Sequence, residues 1–349
     1  PPSPTPSPGK LSAVLVEGNR LVDGSGKPVV LRGVSHSGSE YQCVHGAGIW
    51  DGTVDQAFVD GLKSWKNLNS IRLPMNEDCW LGISGVPSSA SGKAYQTEFK
   101  RGVDLLTSNN IAVLVDLHWT KAGSDQATGQ QPLPDRDHAP TFWSQVAKTF
   151  KDNPLVLFEL FNEPFLGNSR PSDDDWRCWS NATNCKGLSF QPAGQRELLQ
   201  AIRATGAKNV VLMGGMTWSN DLSKWLQYAP LDADPLRQIA AVWHSYANNA
   251  CNNEACWNKT VASVAKEVPV VVTECGHGVS WAQGLFDWIE AQGGTVSYLP
   301  RAWNTWGPAV NGKGEALVED YDKGTPTEHW GTAVKNAFAE ASLLTGERW

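Results

Sequence analysis

At 349 residues the chain is longer than most single domains but suits one α/β barrel, which takes ~250 residues and often more with loop insertions. A net charge of −7 without a basic stripe makes nucleic acid a poor partner, and no apolar run reaches the length that spans a membrane. Only 19% of residues are charged, yet there are 17 tryptophans. So many indoles leave several for surfaces, where their flat apolar faces suit the faces of sugar rings; the alternative is a tryptophan-rich core.

The chain opens on PPSPTPSPG, a proline, serine and threonine segment that cannot bury apolar surface and reads as an extended linker over residues 1–10. A linker here implies an upstream module, for which a carbohydrate-binding module is the natural expectation, in a secreted, extracellular and monomeric protein. Residues 11–349 are read as one catalytic domain. Seven cysteines fit that location. Cys178 and Cys185 bracket a short loop, as do Cys251 and Cys256, while Cys43 and Cys79 follow the first two candidate strands and can meet across one rim. Six paired cysteines leave Cys275 as a buried thiol, although spacing alone does not establish connectivity. No metal-binding spacing of cysteine and histidine is present.

Residues 14–30 read as a β-hairpin around a Gly-Ser-Gly turn, too short for a domain and suited to plug the bottom of a barrel. Eight apolar runs follow, at 30–34, 70–74, 112–118, 155–164, 210–215, 239–246, 268–276 and 296–304. Helical patterns at 54–68, 95–108, 140–150 and 193–204 lie between them. Continuous apolar strands alternating with helices indicate a parallel sheet covered by helices. Eight such units predict a (β/α)8 TIM barrel. No glycine-rich phosphate loop follows the first strand, which argues against a nucleotide-binding doubly wound fold.

Such barrels carry their active sites where the strands end. In chain order the ends deliver His36, Arg72, His118 with Trp119, Asn162 with Glu163, Trp218, His244 with Tyr246, Glu274 and Trp303. Each alone has a bland explanation, and a lone histidine at a strand end is more often structural than catalytic. Eight strands doing so together are hard to explain by packing. Two buried strands that each deliver a glutamate supply the pair of carboxyl groups that glycoside hydrolysis requires, about 5–5.5 Å apart when the anomeric configuration is retained. A nucleophile must stay ionised, and Arg72 and Tyr246 can do this for Glu274. An acid must hold its proton, and the run Phe158, Leu160, Phe161 and Pro164 predicts an apolar neighbourhood for Glu163. Asn162 is expected to bond a sugar 2-hydroxyl, and Trp303 to form a platform under the reacting sugar.

The set Arg72, His118, Asn162-Glu163-Pro164, His244-Ser245-Tyr246, Glu274 and Trp303 resembles glycoside hydrolase family 5, over about residues 31–306. The resemblance implies a retaining (β/α)8 glycosidase with Glu163 as acid/base and Glu274 as nucleophile, needing no metal and no organic cofactor. It leads to a β-linked oligo- or polysaccharide substrate and to an endo-β-1,4-glycanase, above all an endo-glucanase. An exo-acting β-glycosidase and a mannan- or xyloglucan-type hydrolase are the rivals within the family. A non-catalytic carbohydrate-binding barrel is the rival from another class. Asn76-Glu77-Asp78 has no counterpart in the expected pattern: its acids touch extra substrate hydroxyls or a charged sugar, or else they face solvent or cap a short helix. The loops at 121–137 and 168–185 are candidates to shape the cleft.

Overall fold

A computed structural model describes residues 11–166, 170–232, 235–276, 278–306 and 316–341. The expected linker at 1–10 and the start of the 168–185 loop lie outside the described residues. Strands β1 (Leu15–Glu17), β2 (Arg20–Val22) and β3 (Pro28–Val29) form a small antiparallel sheet. Eight barrel positions follow, all parallel: β4 (Gly33–His36), β5 (Ser70–Asn76), β6 (Ala112–Trp119), β7 (Val156–Glu159), β8 (Val211–Gly214), β9 (Ile239–Tyr246), β10 (Val270–Gly276), and an eighth strand in two pieces, β11 (Val296–Tyr298) and β12 (Arg301–Trp303). β11 pairs with β10, and β12 pairs with β4, which closes the sheet into the expected (β/α)8 barrel.

The strand period of two decides what faces the interior. On β6, Val113, Val115 and Leu117 pack outward against the helices, while Ala112 and Leu114 face inward. Leu157, Leu212, Ala240, Val242 and Val271 join them in an apolar inner layer, which Leu21 and Val29 of the antiparallel sheet and Leu11 and Val14 of the segment leading into it seal from below. Val14 N–H donates to Pro154 O (2.9 Å) and Val16 N–H to Gln238 Oε1 (2.8 Å), tying that sheet to the barrel floor. Gly33 is required at the bottom of β4, where a Cβ would stand 2.3 Å from Ser70 O.

The outer layer holds the helices that the apolar periodicity predicts, among them Gln56–Lys63, Lys93–Ser108, Ala139–Phe150 and Gln195–Arg203. They bury Phe58, Phe99, Trp143 and Leu198 against the sheet. Disulfides join Cys43–Cys79, Cys178–Cys185 and Cys251–Cys256, leaving Cys275 buried and free. No helix among the described residues is long and apolar enough to cross a membrane.

Candidate active site

Above the apolar layer the same inward parity turns polar. β5 places Arg72 on the axis, β6 places Asp116 and His118, β7 ends in Glu159, and β9 carries His244 and Tyr246. On β10 a register shift between Val272 and Glu274 lets both Thr273 and Glu274 reach the interior. The carboxyl ends of the strands therefore bring together most of the residues read from the sequence.

Arg72 is the hub and is fully buried. Its Nε and Nη2 donate to the two oxygens of Glu159 (2.9 and 2.8 Å), Nη2 also to Asn162 Oδ1 (2.7 Å), and Nη1 to Glu274 Oε1 (2.6 Å). Asp116 Oδ2 lies 3.1 Å from Nη2. A buried guanidinium is costly unless its charge is compensated and its donors are met; here three carboxylates surround the charge, and Glu159, Glu274 and Asn162 accept four hydrogen bonds from it. Burial works to raise Glu159, but Arg72, and then His244, hold its carboxyl below the usual range. Burial wins at Asp116, whose carboxyl is raised despite Arg72 and His118. His118 Nδ1 bonds Asp116 Oδ2 (2.8 Å), and against its own burial Asp116 raises the imidazole above its ordinary value.

Glu274 lies at the centre of this field. Tyr246 OH donates to its Oε2 (2.7 Å), opposite the bond from Arg72 to Oε1. Arg301 Nη1 is 3.6 Å from Oε2, and His244 Nδ1 is 3.9 Å away. Burial pushes its carboxyl up, but Arg301, His244 and Arg72 together hold it well below the usual carboxylate range. His244 bridges the two glutamates. Its Nδ1 meets Glu163 Oε1 (2.9 Å) and its Nε2 meets Thr273 Oγ1 (2.9 Å), whose hydroxyl donates to Glu159 Oε1 (3.0 Å). Burial disfavours the charged ring, but Glu274, Glu159 and Glu163 outweigh it and lift its pKa to about 9. One oxygen from each glutamate and a ring nitrogen of His244 all lie within 4.8 Å of one another. Glu163 keeps about a fifth of its side chain exposed, whereas Glu274 is nearly closed off. The arrangement thus presents a sealed, cation-held carboxylate beside an accessible one.

Several expectations require correction. The neighbourhood of Glu163 is not apolar: Phe158, Leu160 and Phe161 belong to the hydrophobic core, while the carboxyl meets His244. Trp303 does not floor the cleft. A register shift between Arg301 and Trp303 sends the indole into the outer core, fully buried and edge-on to Trp65 at 5.0 Å, and Arg301 is the residue of this strand that reaches Glu274. His36 shares the outward parity of Val34 and is buried among Trp50, Phe58 and Tyr321, with both ring nitrogens unpartnered and its pKa lowered by burial to about 4. Asn162 spends Oδ1 on Arg72 and one amide hydrogen on Gln130 Oε1 (2.8 Å), leaving one hydrogen for a ligand.

Trp119 is half-buried beside Tyr41. Trp218 remains exposed and stacks on Phe165 at 4.8 Å, held beside the Glu163 strand end by its N–H to Pro164 O. The acids of Asn76-Glu77-Asp78 reach neither solvent nor cleft. Asn76 caps the helix Glu77–Leu81. Buried Glu77 and Asp78 accept the N–H groups of Lys121 and Ala127, which pins the 121–137 loop. That loop shapes the site through Gln130, whose Nε2 also donates to Glu163 O (3.1 Å).

Sequence reasoning missed Asp116, Glu159, Thr273, Gln130 and Arg301. The first two carried a signal: each is an acid at inward parity inside an apolar strand, at 0% exposure once folded. The sequence holds no such signal for a loop glutamine.

The family described as Cellulase (glycosyl hydrolase family 5) matches residues 22–302. Endoglucanase A of Butyrivibrio fibrisolvens is 28% identical over 272 residues, 77% of this chain and 52% of its own length. Endoglucanase E-5 of Thermobifida fusca is 25% identical over 99% of this chain and 66% of its own. The chain thus spans about half to two thirds of the length of these relatives. Among solved structures, a β-glucanase from Saccharophagus degradans superposes with a TM-score of 0.68 at 20% identity, covering 97% of this chain and 98% of that one. A β-mannanase from Thermomonospora fusca gives 0.67 at 17%, covering 96% and 99%. At these identities the superpositions establish the shared barrel. The family match over most of the chain goes further, and with it the chain belongs to the family described as Cellulase, glycosyl hydrolase family 5.

Proposed function

We propose that the protein cuts β-1,4-linked glucan internally, with retention of anomeric configuration. The observation that carries the reading is the placement of Glu163 and Glu274, with oxygens within 4.8 Å of each other and unequal surroundings. Retaining enzymes hold their two carboxyls about 5–5.5 Å apart, whereas inverting enzymes leave about 6.5–9.5 Å for a water. Glu274, held ionised by Arg72 and Tyr246, attacks the anomeric carbon. Glu163, exposed toward the cleft and bonded to His244, protonates the glycosidic oxygen as the C–O bond breaks. A covalent glycosyl ester on Glu274 results. Water then attacks that ester, Glu163 takes its proton, and the Glu274 carboxylate leaves. Asn162 offers its remaining amide hydrogen to the sugar 2-hydroxyl, while Trp218 and Trp119 offer indole faces to sugars further along the cleft.

The glucan assignment draws on relatives called endoglucanases and on a structural neighbour solved with cellotetraose. A second reading, hydrolysis of β-mannan, is favoured by the mannanase superposition, which is as good as those of the glucanases. A panel of soluble β-glucan, mannan, xylan and xyloglucan separates them. The glucanase reading predicts a rapid fall in β-glucan viscosity with little reducing sugar at first. A preference for mannan, or steady release of one small sugar, would overturn it.

A further inference from the structure

Strand eight was expected to give the cleft an aromatic platform, and the structure gives it a cation. The Arg301 main-chain oxygen accepts Trp330 Nε1–H at 2.7 Å, so the outer helix layer fixes the backbone from which its side chain departs. The side chain is about a quarter exposed, with Nη1 3.6 Å from Glu274 Oε2. Arg72 holds the other oxygen, Oε1, from the sealed floor of the barrel. The two arginines differ in setting. Arg72 is fully buried and committed to Glu159, Asp116 and Asn162 as well, whereas Arg301 stands on the cleft side. We propose that Arg301 is a positioning residue of the reacting carboxylate, a second guanidinium that brackets Glu274 from the cleft side and aims it at the substrate. The inference rests on Glu274 being the nucleophile, as argued above.

Other charged and titratable groups face Glu274 and set the background. Tyr246 and His244 reach it from β9, Arg72 from β5, and His118 acts on it from β6. Glu163 shares His244 with it, and Glu40, buried in the first loop, feels the charges of both His118 and Arg301. Arg301, His244 and Arg72 together oppose its burial, which is the largest influence on its protonation. Removing the one on the cleft side lets burial prevail further, so Glu274 takes up its proton at a higher pH.

The test is the acidic limb of kcat/KM on an aryl β-cellobioside for the wild type, Arg301→Gln and Arg301→Lys, alongside mass-spectrometric mapping of the residue labelled by a 2-deoxy-2-fluoro cellobioside. Full solvent screening of a unit charge 3.6 Å away sets the lower bound, an upward shift of about one pH unit for R301Q. R301K, which keeps the charge, returns the limb to within a few tenths of a unit of wild type. If the label sits on Glu274 and the R301Q limb coincides with wild type, Arg301 does not position the nucleophile. Equal displacement of both variants likewise overturns the inference, because shape rather than charge is then responsible. A wild-type label on another residue overturns the nucleophile assignment beneath it instead.

Discussion

Glu159→Ala tests whether the buried arginine cluster organises the site. Glu159 accepts two hydrogen bonds from Arg72, at 2.9 and 2.8 Å, and one from Thr273 at 3.0 Å, all at zero exposure. Breaking a buried pair by removing one partner costs about 3–5 kcal/mol, because the remaining charge is left uncompensated. For 349 residues, unfolding entropy near 60 °C is about 0.7 kcal/mol/K. The expected loss is therefore about 4–7 °C in the melting temperature, read by differential scanning calorimetry. Asp116 and Glu274 still hold Arg72, so the barrel folds, but Arg72 tilts toward them and Glu274 moves. A misplacement on the scale of 1 Å costs about 10²-fold in rate, so kcat/KM on an aryl β-cellobioside falls by about that factor. Glu159→Gln, which keeps the volume and one acceptor, gives a smaller loss of both. A melting temperature within about 1 °C of wild type, with kcat/KM unchanged, would refute the view that Glu159 anchors the arginine.

Glu163→Ala is expected to lower kcat by about 10²–10⁴-fold on substrates with poor leaving groups, while dinitrophenyl glycosides still form the glycosyl ester and azide accelerates its breakdown to a β-glycosyl azide; no azide effect would remove Glu163 from the acid/base role. Glu77→Gln tests the pinned loop. Burial first, and then Asp135, raises the Glu77 carboxyl well above its ordinary value, so the folded state favours the protonated form and stability declines as pH rises from the unfolded carboxylate range through the raised folded value. The permanently neutral glutamine should flatten that decline in melting temperature against pH, and an unchanged slope would count against it. Replacing Cys43 and Cys79 with serine opens a 36-residue separation worth about 4 kcal/mol of chain entropy. That corresponds to a fall of about 5 °C, measured by calorimetry.

The barrel was legible because its strands are apolar on both faces and its helices on one, a pattern that survives loop variation. The floor of the site was legible for the same reason. His118 falls at inward parity with Leu114 on its strand, His244 and Tyr246 with Val242 on theirs, and Arg72 lies beside Leu114 across the sheet. Parity also carried information that went unused: His36 alternates in phase with Val34, an outward residue, and Glu159 with Leu157, an inward one. Strand eight was misread for a different reason. A register shift between Arg301 and Trp303 puts these two residues, which would share a face on a regular strand, on opposite faces, and nothing in side-chain type announces such a shift. The burial of Glu77 and Asp78 was hidden too, because the backbone N–H groups they accept come from a loop more than 40 residues away.

The central claim is a double displacement through Glu274 and Glu163, and the stereochemistry of the first-formed product tests it most directly. Proton NMR of a β-glucan oligosaccharide digest, recorded before mutarotation, should show the β-anomer at the new reducing end. An α-anomer as first product would contradict the account, because it requires a single displacement by water for which carboxyl groups this close leave no room.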